Sequence, residues 1–128
     1  MNTLTDFGPD VEGDVRAMLR DDPGVAALVG ARVFLSTRAL TEASYPCVVV
    51  TLAGSSDDTS EAPIDLALVQ LDCWGPMTSK SVTTDVVNAV RSALHRHGID
   101  VAGRVWAPDP DDRRPRYVVT AAVTALSS

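Results

Sequence analysis

Apolar and polar positions alternate along this chain with two different periods, and the changes of period mark its elements. From about Pro9 to Arg20, the residues Val11, Val15, Met18 and Leu19 fall at i, i+4, i+7 and i+8. That spacing places them on one stripe of a helix. Gly13 weakens this helix by about 1 kcal/mol relative to alanine. A second, shorter helix is predicted directly after it. Asp22 suits the N-cap, Pro23 the first helical position and Gly30 the position just past the end, with Val25, Ala26, Leu28 and Val29 between them.

The period then shortens to two. Arg32–Ser36 reads as a short strand, Thr37–Tyr45 as a polar, exposed loop, and Cys47–Ala53 as a valine-dense strand entered through Pro46. Gly54–Pro63 (GSSDDTSEAP) is small, acidic and turn-rich, so it reads as a loop. Ile64–Trp74 returns antiparallel to Cys47–Ala53. It carries Leu66 and Leu68 on one face and Ala67, Val69 and Leu71 on the other. Apolar residues on both faces predict either a central strand covered twice or a face used by a partner.

Gly75-Pro76 breaks that strand, and a long helix is predicted from about Ser79 to His97, capped by Thr78 or Ser79 and closed by Gly98. Val82, Val86, Ala89, Val90, Ala93, Leu94 and His97 make its apolar stripe, and Thr83 falls on the polar side. Ile99–Ala107 reads as a strand and Pro108–Pro115 (PDPDDRRP) as a charged loop. The last strand, Arg116–Leu126, sets Tyr117, Val119, Ala121 and Val123 against Val118, Thr120, Ala122 and Thr124. The expected fold class is α+β: a mainly antiparallel sheet covered by one long helix, with short N-terminal helices.

Composition narrows what such a fold could do. At 128 residues the chain fits a single domain spanning 1–128, with 45% hydrophobic and 22% charged residues, enough apolar surface to form a core. The net charge of −6 argues against a duplex-binding surface, which needs clustered Lys and Arg. Lys80 is the one lysine, and Arg113, Arg114 and Arg116 form the one local basic cluster. Met1–Asp10 lacks the features of a signal peptide, and no apolar run approaches the length of a bilayer span. The expectation is a soluble protein, intracellular when made, with no membrane contact.

The chemistry-bearing residues do not assemble into a recognisable catalytic motif. The sequence has no G-x-S-x-G elbow, no P-loop and no G-x-G-x-x-G after a strand. His95 and His97 are two apart on a helix and point to different sides, so they cannot act as an i, i+4 ligand pair. Cys47 and Cys73 fit no zinc spacing. With Gly54–Pro63 as the connection they fall near opposite each other across the ladder; a disulfide is conceivable, and two buried thiols are the expectation. No enzyme activity, cofactor or metal is expected. The acidic runs, Asp57 and Asp58 with Glu61, and Asp109, Asp111 and Asp112, lack the ligand order of a calcium loop. Solvated charge or protein contact remains for them. Asp111, Asp112, Arg113 and Arg114 set opposite charges side by side, which suits pairing with the same loop of a neighbouring copy. The candidate contact residues are therefore Asp57, Asp58, Glu61, Asp111, Asp112, Arg113 and Arg114.

The order of these segments carries a resemblance. Asp22-Pro23-Gly24-Val25-Ala26-Ala27-Leu28-Val29-Gly30-Ala31-Arg32-Val33-Phe34 resembles the D-P-x-[VI]-x-x-L-[VI]-G-x-R-[VI]-[YF] opening of small tail-completion proteins of long-tailed bacteriophages. The proline-entered strand Tyr45-Pro46-Cys47-Val48-Val49-Val50 follows, then Val69-Gln70-Leu71-Asp72-Cys73-Trp74 ahead of the long helix, and finally Arg116-Tyr117-Val118-Val119 after a charged loop. One departure is that Ser36–Ser44 stands where the family commonly has a proline-rich loop. The resemblance implies a tail terminator: a virion protein that caps the tail tube as a homohexameric ring and joins it to the head side. Its implied partners are further copies of itself, the tail tube protein and a head-side connector or head-closure protein, with genome DNA passing through without specific binding. A head-closure or other neck protein of the same junction is the neighbouring reading, and a small α+β binding module of a bacterial host is the reading from another class.

Overall fold

The computed structural model describes residues 10–36, 39–55, 64–99, 101 and 103–126. In chain order the elements are α1 (Val11–Asp21), α2 (Pro23–Val29), β1 (Val33–Leu35), a 3₁₀ turn (Glu42–Ser44), β2 (Cys47–Ser55), β3 (Ile64–Trp74), α3 (Lys80–Arg96), β4 (Val105–Trp106) and β5 (Arg116–Leu126). The five strands form one sheet in the order β1-β2-β3-β5-β4. Only β1 is parallel to its neighbour; β2, β3, β5 and β4 run antiparallel. The fold class is α+β, as the periodicities predict.

The helices pack on one face of this sheet. Val11, Val15 and Leu19 of α1, Val25 and Val29 of α2, and Val86, Val87, Val90, Ala93 and Leu94 of α3 share one core with strand residues. The strand contribution is every second residue: Val48 and Val50, then Ala67, Val69, Leu71 and Cys73, then Tyr117, Val119, Ala121 and Val123. Each helix starts on the side chain its sequence offers. Asp10 accepts from the Gly13 amide, Asp22 from the Val25 amide and Ser79 from the Val82 amide. The end of α3 is a Schellman turn: Gly98 N–H donates to His95 C=O and Ile99 N–H to Leu94 C=O, with Gly98 at φ 74°. Ile99 and Leu94 both enter the core, which adds the apolar contact typical of that turn. No helix among the described residues is long and apolar enough to cross a membrane.

Several expectations are corrected. The stripe of α3 is rotated: Thr83 and Val87 are buried, and His97, as the C-cap, is exposed. Thr83 can be buried because its hydroxyl donates to the Ser79 carbonyl, 3.1 Å away, inside its own helix. It also faces Gly75, where any Cβ would overlap the Thr83 side chain; the glycine permits this close approach. The strand expected over Ile99–Ala107 is broken. Val101 bridges Ala121, and pairing resumes at Val105↔Val118, one residue out of step across Gly103 at φ 145°. The polar loop before β2 contains the 3₁₀ turn, whose Ser44 is buried.

The two cysteines are also not opposite each other. Cys47 pairs with Trp74, and Cys73 with Val48. That one-residue offset puts their side chains on opposite faces of the sheet, because paired residues share a face and neighbours alternate. Both thiols are free and buried. Finally, β3 is central but helix-covered on one face only. On its other face Leu66 and Leu68 stand 49% and 42% exposed, beside the exposed Ala122 of β5. The register Leu66↔Thr124 and Leu68↔Ala122 aligns these residues across the ladder.

Candidate protein-contact site

The loop between β4 and β5 is built by its own carboxylates. Asp109 accepts from the amides of Asp111 (2.8 Å) and Asp112 (3.3 Å), and these bonds hold its carboxyl below the usual range. Asp112 accepts from the Arg114 amide at 2.9 Å. Main-chain bonds from Asp109 N–H to Arg114 C=O and from Arg113 N–H to Asp109 C=O close the turn. Arg113 takes φ 63°, the left-handed region, so the chain reverses sharply there. Asp111, Asp112 and Arg113 are left pointing to solvent.

Arg114 does the opposite. It is 3% exposed, and its Nη1 donates to the Gly75 carbonyl at 3.2 Å. Its Nη2 pairs with Glu42 of the 3₁₀ turn, and its guanidinium lies 3.7 Å from the Tyr45 ring centroid. The Gly75 amide returns a bond to Pro115 C=O. One arginine thus ties three separate segments together: the β4–β5 loop, the end of β3 and the segment leading into β2.

A second arginine extends the stack. Tyr45 meets Trp74 edge to face at 6.2 Å and 71°. Arg116 sits 4.7 Å above Trp74, donates to the Ala107 carbonyl at 2.8 Å and lies 3.8 Å from Asp72. Gln70 donates to the other Asp72 oxygen at 2.8 Å. The Tyr45–Pro46 peptide bond is cis. Burial raises the Tyr45 hydroxyl pKa, with Arg114 partly opposing it. Burial pushes the Cys47 thiol up to about 12, and the Cys73 thiol is also pushed up by burial. Neither thiol is a nucleophile near neutral pH, because the thiolate is the reactive form.

Of the candidate residues read from sequence, Asp57, Asp58 and Glu61 lie outside the described residues. Asp111, Asp112 and Arg113 form one exposed tip, while Arg114 is turned inward and paired within the chain. No local pattern in the sequence groups Tyr45, Trp74 and Arg116. Their signal was indirect: Tyr45 and Trp74 flank ends of two strands expected to pair, and the arginines follow a turn-rich loop. His95 and His97 lie at the far end of α3, and no group of three His, Cys, Asp or Glu among the described residues could hold a metal ion.

These ties hold a charged loop tip at one end of the sheet, and the exposed apolar residues Leu66 and Leu68 lie toward the other. Among curated proteins, none matches the sequence. Among solved structures, the chain is similar to one from the "Virion of native gene transfer agent (GTA) particle", with a TM-score of 0.60 and 16% identity over 86% of this chain and 91% of that one. The likeness at that identity is one of fold. Residues 13–124, from the first turn of α1 to two residues before the end of β5, match the family described as Tail completion protein gp17, so the chain belongs to that family of tail completion proteins.

Proposed function

We propose that this protein is a structural component of a phage-type virion that closes the end of the tail tube as a homohexameric ring and joins it to the head-side connector. The observation that carries this reading is the family match over residues 13–124. The fold likeness to a chain of a gene transfer agent virion agrees with it.

The surface suits such a role. A ring requires two different, mutually complementary patches on each subunit. The Leu66–Leu68 face of the sheet is one candidate patch, and the tip Asp111–Arg113 is a second, polar one. The edge strands β1 and β4 have three and two residues, too short to template open-ended strand addition. Six copies of a −6 chain would carry roughly −36, and an acidic bore repels DNA and lets it slide. In this reading genome DNA passes without specific binding, and the loops Gly54–Pro63 and Pro108–Pro115 meet the tube and the head side.

The test is to mix the purified protein with tail tubes and image the products by electron microscopy. Sixfold rings on tube ends, with elongation stopped, are the expected result. Tubes that keep growing uncapped would overturn the terminator assignment, and binding to isolated head connectors alone would favour a head-closure protein of the same junction. A basic bore lining would overturn the sliding argument.

A further inference from the structure

A second feature lies away from the Arg114 tie, on the outer side of α3. Between Asp85 and Asp100 the chain has no acidic residue, yet it carries Arg91, His95, Arg96 and His97 in a protein of net charge −6. The C-terminal half of α3 and the segment after it line an open groove of about 560 Å³, with Asn88, Arg91, Ser92 and His95 from the helix and Ile99 and Val101 from the chain after it. Arg96 stands at its end, and Arg104 reaches its rim by donating to the Asn88 side chain.

The cations there are not equivalent. Arg96 is paired with Asp22. His95 and Arg96 sit in the last turn, where positive charge offsets the partial negative charge of the helix end. Arg91 lies more than a turn earlier, beyond the reach of that effect. Its Nε is buried with no hydrogen-bond partner among the described residues. A buried donor of a charged group without an acceptor is rare and costly, because it has lost water and gained nothing. Arg104 donates to a neutral amide and lies 5.1 Å from the Tyr117 ring centroid, and it forms no ion pair among the described residues, so its positive charge meets no carboxylate there.

We propose that this groove seats a carboxylate of an acidic peptide segment on a partner protein, with Arg91 as the receiving guanidinium and Arg104 beside it. A carboxylate accepts the forked Nε and Nη donors of arginine in one plane, which supplies the acceptor that Nε lacks. The groove is of a size that takes one or two side chains. A nucleic acid backbone is disfavoured because its binding draws on an extended cationic surface, and this chain is acidic as a whole. The assignment does not depend on ring formation, since every element of the groove belongs to one chain.

The experiment is a titration of the full-length ¹⁵N-labelled protein with an acetylated hexaglutamate peptide, and separately with inorganic phosphate and an oligothymidylate. The peptide is expected to shift the amide signals of Asn88, Ser92, His95 and Val101 in a saturable way. Ser92→Glu, at an exposed position, and Arg91→Gln should each weaken that binding by about tenfold or more. Should Arg91→Gln fail to fold, Ser92→Glu carries the test alone. Absence of saturable shifts at these residues, or binding unchanged by Ser92→Glu, overturns the proposal. Tighter binding of phosphate or oligothymidylate than of the peptide overturns the carboxylate assignment.

Discussion

The two cysteines show how much a single-residue offset decides. Cys47 faces the side of the sheet that carries Trp74, and Cys73 faces the helices. A disulfide between them would have to pass through the sheet, so the thiols stay free. Burial pushes Cys47 up to about 12 and Cys73 up as well. The native protein at pH 8 is therefore expected to leave both thiols unmodified by a thiol-exchange reagent, and to show two reactive thiols in strong denaturant. Rapid modification of the folded protein would show that one of them is not buried as described. Both cysteines were legible as buried residues because they lie within apolar strands, Cys47 at the head of a valine run and Cys73 near the end of Ile64–Trp74. Which face each occupies was not, because it depends on register, and register is set by the pairing with both β2 and β5.

At the scale of elements, caps and ties do most of the positioning. Asp22 is buried, caps α2 and accepts from Arg96 at the end of α3, so it joins two helices. Burial raises its pKa, but the bond from Arg96 and the amides of Val25 and Gly24 outweigh that, and the net shift is downward. The stabilisation is therefore complete above the unfolded-state value and is lost as pH falls through the lower folded-state value. Asp22→Ala is expected to cost about 1–2 kcal/mol at neutral pH, mainly as a lost cap. Denaturant melts should also show a shallower loss of stability in acid than for the parent protein, and an unchanged acid slope would contradict the assignment. The Arg114 tie gives a sharper contrast. Glu42 is 83% exposed, so Glu42→Gln should cost less than about 1 kcal/mol. Arg114→Ala strips the Gly75 carbonyl and the Tyr45 ring of their partner and should cost about 2–4 kcal/mol by chemical denaturation. Equal effects of the two substitutions would mean that the ion pair, not the buried stack, holds the loop. The caps Asp22 and Ser79 and the closing Gly98 were readable because they act within a few residues. The Arg114 tie joins positions 42, 75 and 114, and no local pattern announces it.

For the whole molecule, the deciding feature is a sheet with helices on one face only. The uncovered face is not uniform. Phe34 and Cys47 are buried at one end, beside the Tyr45–Trp74 stack, and Leu66 and Leu68 are exposed at the other. If that exposed end is a subunit contact, Leu66→Glu with Leu68→Glu should leave the monomer's unfolding free energy within about 0.5 kcal/mol per site, since neither side chain enters the core. The same pair should abolish ring formation, read by sedimentation and by counting capped tubes. Normal capping by the double variant would place the contact elsewhere.

The sequence by itself determined the local elements: two short helices, a long one, the β2–β3 hairpin partners and an eleven-residue final strand whose bounds match the structure. It did so because periodicity, caps and turn residues act over a few positions. It also carried the family, through the order of short segments along nearly the whole chain. Only the tertiary structure decided which face of α3 is buried, where the segment after it breaks, how the cysteines divide and that Arg114 turns inward. Each of those depends on residues far apart in the chain meeting across the sheet. The groove at Arg91 is different: its lining comes from one stretch of chain, the second half of α3 with Ile99 and Val101 just after it, and only the close of the helix at Gly98 brings those residues together.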